Sequence, residues 1–244
     1  SMSNVKFRDG YIRLRWGTRI CEATPGTVSG MKSVKVWTDI TNGKVALVTT
    51  VPGTTKLFIG DITSFIPNSS TVTMTDRTGA LAAASLSSAT TNYDSLNGLL
   101  IGSSNSASSG AVFKVTAYNA NGAVLAGSPP NADIVKQCNN FLFLSRNLSS
   151  ATTQSNVYWS NVNDPETWTG ANVLSFNKND GEPIMALGSI GTDLYIFKQT
   201  SIGRLSTVTI SVSGAVTLGP LVTVIRGIGC CGPRALDNLP NGNI

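Results

Sequence analysis

The sequence predicts an all-β protein, a β-propeller in which a four-stranded unit recurs along the chain, and three observations carry that expectation. Short β-branched and aromatic segments alternate throughout with Gly, Asn, Asp and Pro, the residues that serve tight turns. Only Ala80-Leu81-Ala82-Ala83-Ala84 has helical character. Strand restarts at Lys56-Leu57-Phe58-Ile59, Leu99-Leu100-Ile101-Gly102, Phe141-Leu142-Phe143-Leu144 and Leu194-Tyr195-Ile196-Phe197 follow one another at about 40 to 55 residues, the length of one blade. A β-sandwich has equal strand density without that period and is the alternative architecture.

Residues 1–25 read as an N-terminal basic β-hairpin and residues 26–244 as the blades of a single β domain. In the hairpin, Val5, Phe7, Tyr11, Ile12, Leu14 and Trp16 are interspersed with Lys6, Arg8, Arg13, Arg15 and Arg19, and Asp9-Gly10 supplies a preferred hairpin turn. These five basic residues are the candidate partner interface. They suit an acidic neighbouring subunit or the phosphates of passing DNA; the plainer reading is a solvated strand face.

The first unit shows Val34-Lys35-Val36-Trp37, then Val45 to Thr50, then Lys56 to Ile59, with Thr41-Asn42-Gly43 and Val51-Pro52-Gly53 as turns. Residues 68–97, poor in aromatics and rich in Ser, Thr and Ala, are expected to be irregular or weakly stranded. The pattern resumes at Leu96 to Gly102, Gly110 to Tyr118 and, past Asn121-Gly122, Ala123 to Gly127. A third unit begins at Ile134 to Cys138 and Phe141 to Ser145 and runs into Val157-Tyr158-Trp159. A fourth runs from Ile184 through Leu205 and Thr207 to Val212 as far as Leu218.

Composition narrows the chemistry. Charged residues make up 13% of the chain, far below the roughly 25% of an average soluble domain, a profile that suits extracellular or virion β proteins. The net charge of +5 comes from 18 basic residues spread over the whole length, which is not a nucleic-acid patch. No stretch approaches the roughly 18 apolar residues of a membrane-spanning helix. With no histidine, Ser-His-Asp and Cys-His catalysis are excluded, as are zinc sites that mix His and Cys.

The remaining groups give no strong site. Cys21, Cys138, Cys230 and Cys231 have neither disulfide-framework nor metal spacing and read as free thiols. Gly227-Ile228-Gly229-Cys230-Cys231-Gly232 matches a phosphate-loop spacing, but in a β context with no helix after it. Asp164 with Glu166, or Asp180 with Glu182, would be the carboxylates of a glycoside hydrolase; in turns such pairs are ordinarily solvated turn residues. The expectation is a non-enzyme without cofactor or metal.

One stretch is more specific. From Asn156 to Leu205 the chain runs through the aromatic strand Val157-Tyr158-Trp159, the turn Ser160 to Asp164-Pro165, Trp168, a polar loop with Asp180-Gly181, the apolar Ile184 to Leu187, and then Gly191-Thr192-Asp193-Leu194-Tyr195-Ile196-Phe197-Lys198 and Ser201-Ile202-Gly203-Arg204-Leu205. This order resembles the β-propeller repeats of bacteriophage tail structural proteins, the nozzle-type tail proteins of short-tailed phages in particular. The segment Ser160 to Trp168 is also similar to the Asp-box turn of sialidase-type propellers, but Val162 stands in the place of the aspartate and no glycine follows Asp164. Asp164-Pro165 and Trp168 are therefore expected to be turn and core.

The phage resemblance implies a virion protein of the tail, made in the host bacterial cytoplasm. It implies identical subunits closed in a ring, contacting adaptor or portal-side proteins around the DNA path. It also implies that Ile62 to Pro67 forms the outer strand of the first blade, and that the chain after Asn238 leads into a further strand, so that the blades form an open or incomplete propeller. A carbohydrate- or receptor-binding propeller is the alternative, favoured if Trp37, Tyr93 or Trp168 line a groove; a glycoside hydrolase is the weaker one.

Overall fold

The computed structural model describes residues 33–51, 56–64, 72–81, 86, 91–104, 112–146, 153–206, 218–232 and 235–236, together with the backbone of 5–8, 11–14, 209–210 and 216–217. The chain is all-β, and the described strands include four antiparallel sheets of four strands each. The first sheet comprises β3 (Ser33–Asp39), β4 (Lys44–Val51), β5 (Lys56–Asp61) and β6 (Thr75–Asp76). The second comprises β7 (Thr91–Leu96), β8 (Leu99–Ser104), β9 (Val112–Val115) and β10 (Ala123–Val124). The third comprises β11 (Ile134–Cys138), β12 (Phe141–Ser145), β13 (Asn156–Asn161) and β14 (Asp164–Ser175). The fourth comprises β15 (Ala186–Ile190), β16 (Asp193–Phe197), β17 (Ser201–Leu205) and β20 (Leu221–Arg226).

Within each sheet the strands lie in chain order, and short turns join β3 to β4, β7 to β8, β11 to β12, β13 to β14 and β15 to β16. The turn chemistry is local. Asn97 and Gly98 have φ of 52° and 77°, the left-handed pair that a two-residue hairpin demands and that Asn-Gly supplies at least cost. Asn139 and Asn140, at 45° and 64°, make the corresponding turn between β11 and β12. Between β3 and β4 the Asp39 carboxylate accepts the backbone N–H of Asn42 at 3.1 Å and its Nδ2 at 2.7 Å, closing the turn from inside. The short hairpin of β18 (Thr209–Ile210) and β19 (Val216–Thr217) is interposed between β17 and β20.

The sheets stack face to face in chain order. Alternation along each strand gives every sheet two faces, and the apolar clusters say which face meets which sheet. Trp37, Ala46, Val48, Leu57 and Ile59 of the first sheet pack on Leu100, Phe113 and Val115 of the second. The opposite face of the second, with Leu96, Ile101 and Val112, packs on Val135, Leu142 and Leu144 of the third. The far side of the third, Phe141, Phe143, Val157 and Trp159, packs on Leu187, Leu194, Ile196 and Leu205 of the fourth. Along one border of this stack the first strands are neighbours, β3 beside β7, β7 beside β11 and β11 beside β15.

Two glycines make room for the rings between sheets. A Cβ on Gly102 would stand 2.2 Å from the Phe113 ring, and one on Gly203 would stand 2.5 Å from Phe176, so any side chain at either position would collide with the ring.

Several expectations change. The outer strand of the first sheet is β6, whereas Ile62 to Ser64 turn away from β5 with the Thr63 N–H bonded to the Asp61 carboxylate; residues 65–67 lie outside the described residues. Where the pattern resumes at Leu96 to Gly102, the chain turns at Asn97-Gly98 between β7 and β8. Part of the stretch expected to be irregular or weakly stranded, residues 91–96, is the six-residue strand β7. Residues 82–85 of the alanine run, Cys21 and residues 238–244 lie outside the described residues. Trp159 is buried as expected, while Trp168 is only half-buried.

Candidate functional site

The hairpin of β1 (Val5–Arg8) and β2 (Tyr11–Leu14) forms a two-stranded sheet of its own. Its register pairs Lys6 with Arg13, Arg8 with Tyr11, Val5 with Leu14 and Phe7 with Ile12. The pairing therefore brings three of the candidate basic residues, Lys6, Arg8 and Arg13, to adjoining register positions, with Lys6 directly opposite Arg13. Like charges directly opposite one another oppose pairing, and a two-stranded ribbon alone is marginal in water. A partner that supplies negative charge relieves the first cost. Arg15 and Arg19 lie outside the described residues.

A second group of charges runs along the border of first strands. Asp94 on β7 has Lys35 of β3 at 3.9 Å on one side and Lys136 of β11 at 3.7 Å on the other, and it accepts the backbone N–H of Gln137 at 2.8 Å. One carboxylate thus joins three sheets.

The carboxylates proposed for hydrolysis are occupied in holding the fold. Asp164 accepts the Glu166 N–H at 2.9 Å and the Thr167 hydroxyl at 2.6 Å; the hydroxyl and the N–H together hold its carboxyl below the usual range. Glu166 reaches from β14 to the second sheet, taking both bonds of Lys114 Nζ at 2.7 and 2.8 Å and the Ala126 N–H at 3.1 Å. The Lys114 ammonium is the chief cause of its lowered pKa. Glu182 accepts the N–H and hydroxyl of Thr200 at 3.0 and 2.7 Å.

Asp180 belongs to a network that the sequence did not advertise. The Lys198 side chain is 0% exposed, and its Nζ donates to Asp180 Oδ1 at 2.6 Å, to the Asn177 carbonyl at 2.8 Å and to the Ser155 hydroxyl at 2.9 Å. The Phe176 ring lies 5.8 Å from the same nitrogen. A lysine buried with three acceptors fits the rule that interior charges are paired and bonded. The only sequence signal was a Lys directly after an apolar strand, downstream of an Asp-Gly loop. The network ties the connection between the third and fourth sheets to the end of β16.

The aromatic residues that would mark a sugar platform are packing residues. Trp37 lies in the core between the first and second sheets. Tyr93 packs edge-on against Phe113 with centroids 6.2 Å apart, and burial pushes its phenol above the ordinary range. Trp168 packs on the cluster between the second and third sheets and donates Nε1–H to the Pro165 carbonyl at 2.8 Å, which fixes the turn it follows.

Among the described residues, Cys138 and Cys230 are buried free thiols and Cys231 an exposed one; burial raises the Cys138 pKa to about 11. No group of three or more His, Cys, Asp or Glu that could hold a metal ion occurs among the described residues, and no helix there is long and apolar enough to cross a membrane. No protein-family model matches the chain, and no curated protein matches it.

Proposed function

We propose that this chain is a structural component of a phage tail, of the nozzle type, and that its four sheets are blades of a β-propeller. What supports the propeller is the sequential face-to-face stack with the first strands side by side, the relation that blades have around an axis. A two-layer sandwich would place alternate strands in two sheets rather than build four sheets in series. The observation that carries the functional reading is the stretch Asn156 to Leu205, whose order resembles tail-protein repeats. Its conspicuous polar groups, Asp164, Glu166, Asp180, Glu182 and Lys198, all bind their own fold. A chain without histidine whose acids are spent on architecture suits a building block better than a catalyst.

In this reading identical copies close a ring around the DNA path, and the basic hairpin meets an acidic surface of an adaptor or portal-side protein through forked arginine bonds. Immunogold labelling with an antibody against the purified chain tests the assignment: gold at the tail of short-tailed particles is expected, and label confined to cell surfaces would sink it. In such particles the double variant Arg13→Glu, Arg15→Glu is expected to stop tail assembly. Normal assembly with weakened DNA retention would instead place the hairpin on DNA, where binding falls steeply with salt.

A further inference from the structure

Three Asn-Gly pairs occur among the described residues, Asn42-Gly43, Asn97-Gly98 and Asn121-Gly122; Asn241-Gly242 lies outside them. Such a pair has a reaction of its own. The backbone nitrogen after an asparagine is placed to attack the side-chain amide carbon and close a cyclic imide, and glycine, having no Cβ, leaves that nitrogen least hindered. The surroundings decide which pair is open to it.

At Asn121-Gly122 the nucleophile is taken. The Gly122 N–H donates to the Arg77 carbonyl at 2.7 Å, and Gly122 is buried, with Leu81 and Leu57 side-chain carbons 2.5 and 3.1 Å from where a Cβ would stand. At Asn42-Gly43 the amide is clamped. Asn42 donates its N–H at 3.1 Å and its Nδ2 at 2.7 Å to the wholly buried Asp39 carboxylate, whose negative charge opposes the oxyanion that attack would build on that amide.

Neither protection is found at Asn97-Gly98 among the described residues. The two residues are the whole of the turn between β7 and β8, with φ of 52° and 77°, so the Gly98 N–H belongs to no ladder bond. Asn97 is exposed, and nothing stands within 4 Å of the position that a Gly98 Cβ would occupy, so ring closure meets no neighbour and water reaches the product. Asn97 Nδ2 donates to the Asn163 carbonyl, a neutral acceptor in the turn between β13 and β14.

We propose that Asn97 is a site of spontaneous covalent modification, and that its conversion uncouples the tip of the second sheet from that of the third. The Gly98 nitrogen bonds to Asn97 Cγ and gives its proton to solvent; the Cγ–Nδ2 bond breaks and Nδ2 leaves as ammonia. Water then opens the imide. Cleavage of the bond from nitrogen to Cγ gives aspartate, and cleavage of the bond from nitrogen to the main-chain carbonyl gives isoaspartate. Either way amide and water become carboxylate and ammonium, and the net charge falls by one, from +5 to +4.

The change acts through what the amide holds. Asn97 Nδ2 donates to the Asn163 carbonyl, and the Asn163 N–H donates to the Asn140 carbonyl at 2.8 Å, so three hairpin tips form one bonded series. An ionised carboxylate has no proton to donate and sets acceptor against acceptor.

Ageing the folded full chain at mildly alkaline pH, with peptide mass spectrometry at intervals, tests the site. Aspartate and isoaspartate are expected to accumulate about tenfold faster at Asn97 than at Asn42 or Asn121, the factor that breaking one hydrogen bond to free a reacting group costs. In urea the three sites are expected to react at similar rates. Asn97→Asp, which the left-handed turn tolerates, stands in for the product, and hydrogen exchange at the Asn163 N–H is expected to quicken in it. Equal rates at the three sites in the folded chain would overturn the assignment, as would an Asn97 that stays an amide in the folded chain while it reacts in urea. Unchanged exchange at Asn163 in Asn97→Asp would overturn the uncoupling.

Discussion

Lys198 and Asp180 form one ion pair whose two halves sit in different surroundings. The lysine is wholly buried, while the aspartate is 31% exposed. Removing the aspartate therefore strands a cation with only the Ser155 hydroxyl and the Asn177 carbonyl as partners, whereas removing the lysine leaves a carboxylate that water can reach. Asp180→Ala is expected to destabilise the fold by about 3 kcal/mol and Lys198→Met by clearly less, read from urea midpoints at unchanged slope. Equal effects would mean that the charge of Lys198 is not confined. This residue was hidden from the sequence because its partners stand 18, 21 and 43 positions away, and no periodicity connects them. Trp159, by contrast, was legible, since an aromatic residue inside a β-branched strand packs wherever that strand has a buried face. Trp168 was legible only in part. Its place after a turn pointed to packing, but its pairing with Ser160 beside a break in register leaves it at the margin of the cluster.

The first sheet is laced by two ion pairs between neighbouring strands, Lys44 of β4 to Asp61 of β5 at 2.8 Å and Lys56 of β5 to Asp76 of β6 at 2.7 Å. The Lys44 hydrogen bond, helped by Thr63, lowers the Asp61 pKa from 3.8 to about 2. For Asp76, burial acts in the opposite sense, but Lys56 and Thr78 outweigh it and bring that pKa to about 2 as well. A carboxyl depressed in the folded state contributes stability that is fully present above its unfolded value and is lost as pH falls through the folded one. Thermal midpoints are therefore expected to drop between about pH 4 and pH 2, modestly, because both pairs face solvent. Asp61→Asn should flatten part of that drop. An identical acid profile in the variant would contradict the assigned pair. At this scale the sequence showed which segments are strands better than where they stop. Asn97-Gly98 carries a strong turn signal, and the chain turns there. β6 has two residues, and its place beside β5 depends on a distant connection.

The described residues hold four similar four-stranded sheets in series, whose first strands begin at Ser33, Thr91, Ile134 and Ala186. That recurrence was visible in the sequence because each unit repeats the same need, an apolar strand buried on both faces followed by turns that return the chain. The order of stacking was not visible, since it depends on which face of each sheet meets its neighbour, and alternation alone leaves that choice open. The account as a whole rests on the sheets being arranged around an axis, with β3, β7, β11 and β15 innermost. Electron-microscopic class averages of the purified protein test this most directly: ring-shaped particles with sheets radiating from a central opening are expected, and a two-layer slab without an opening would contradict it.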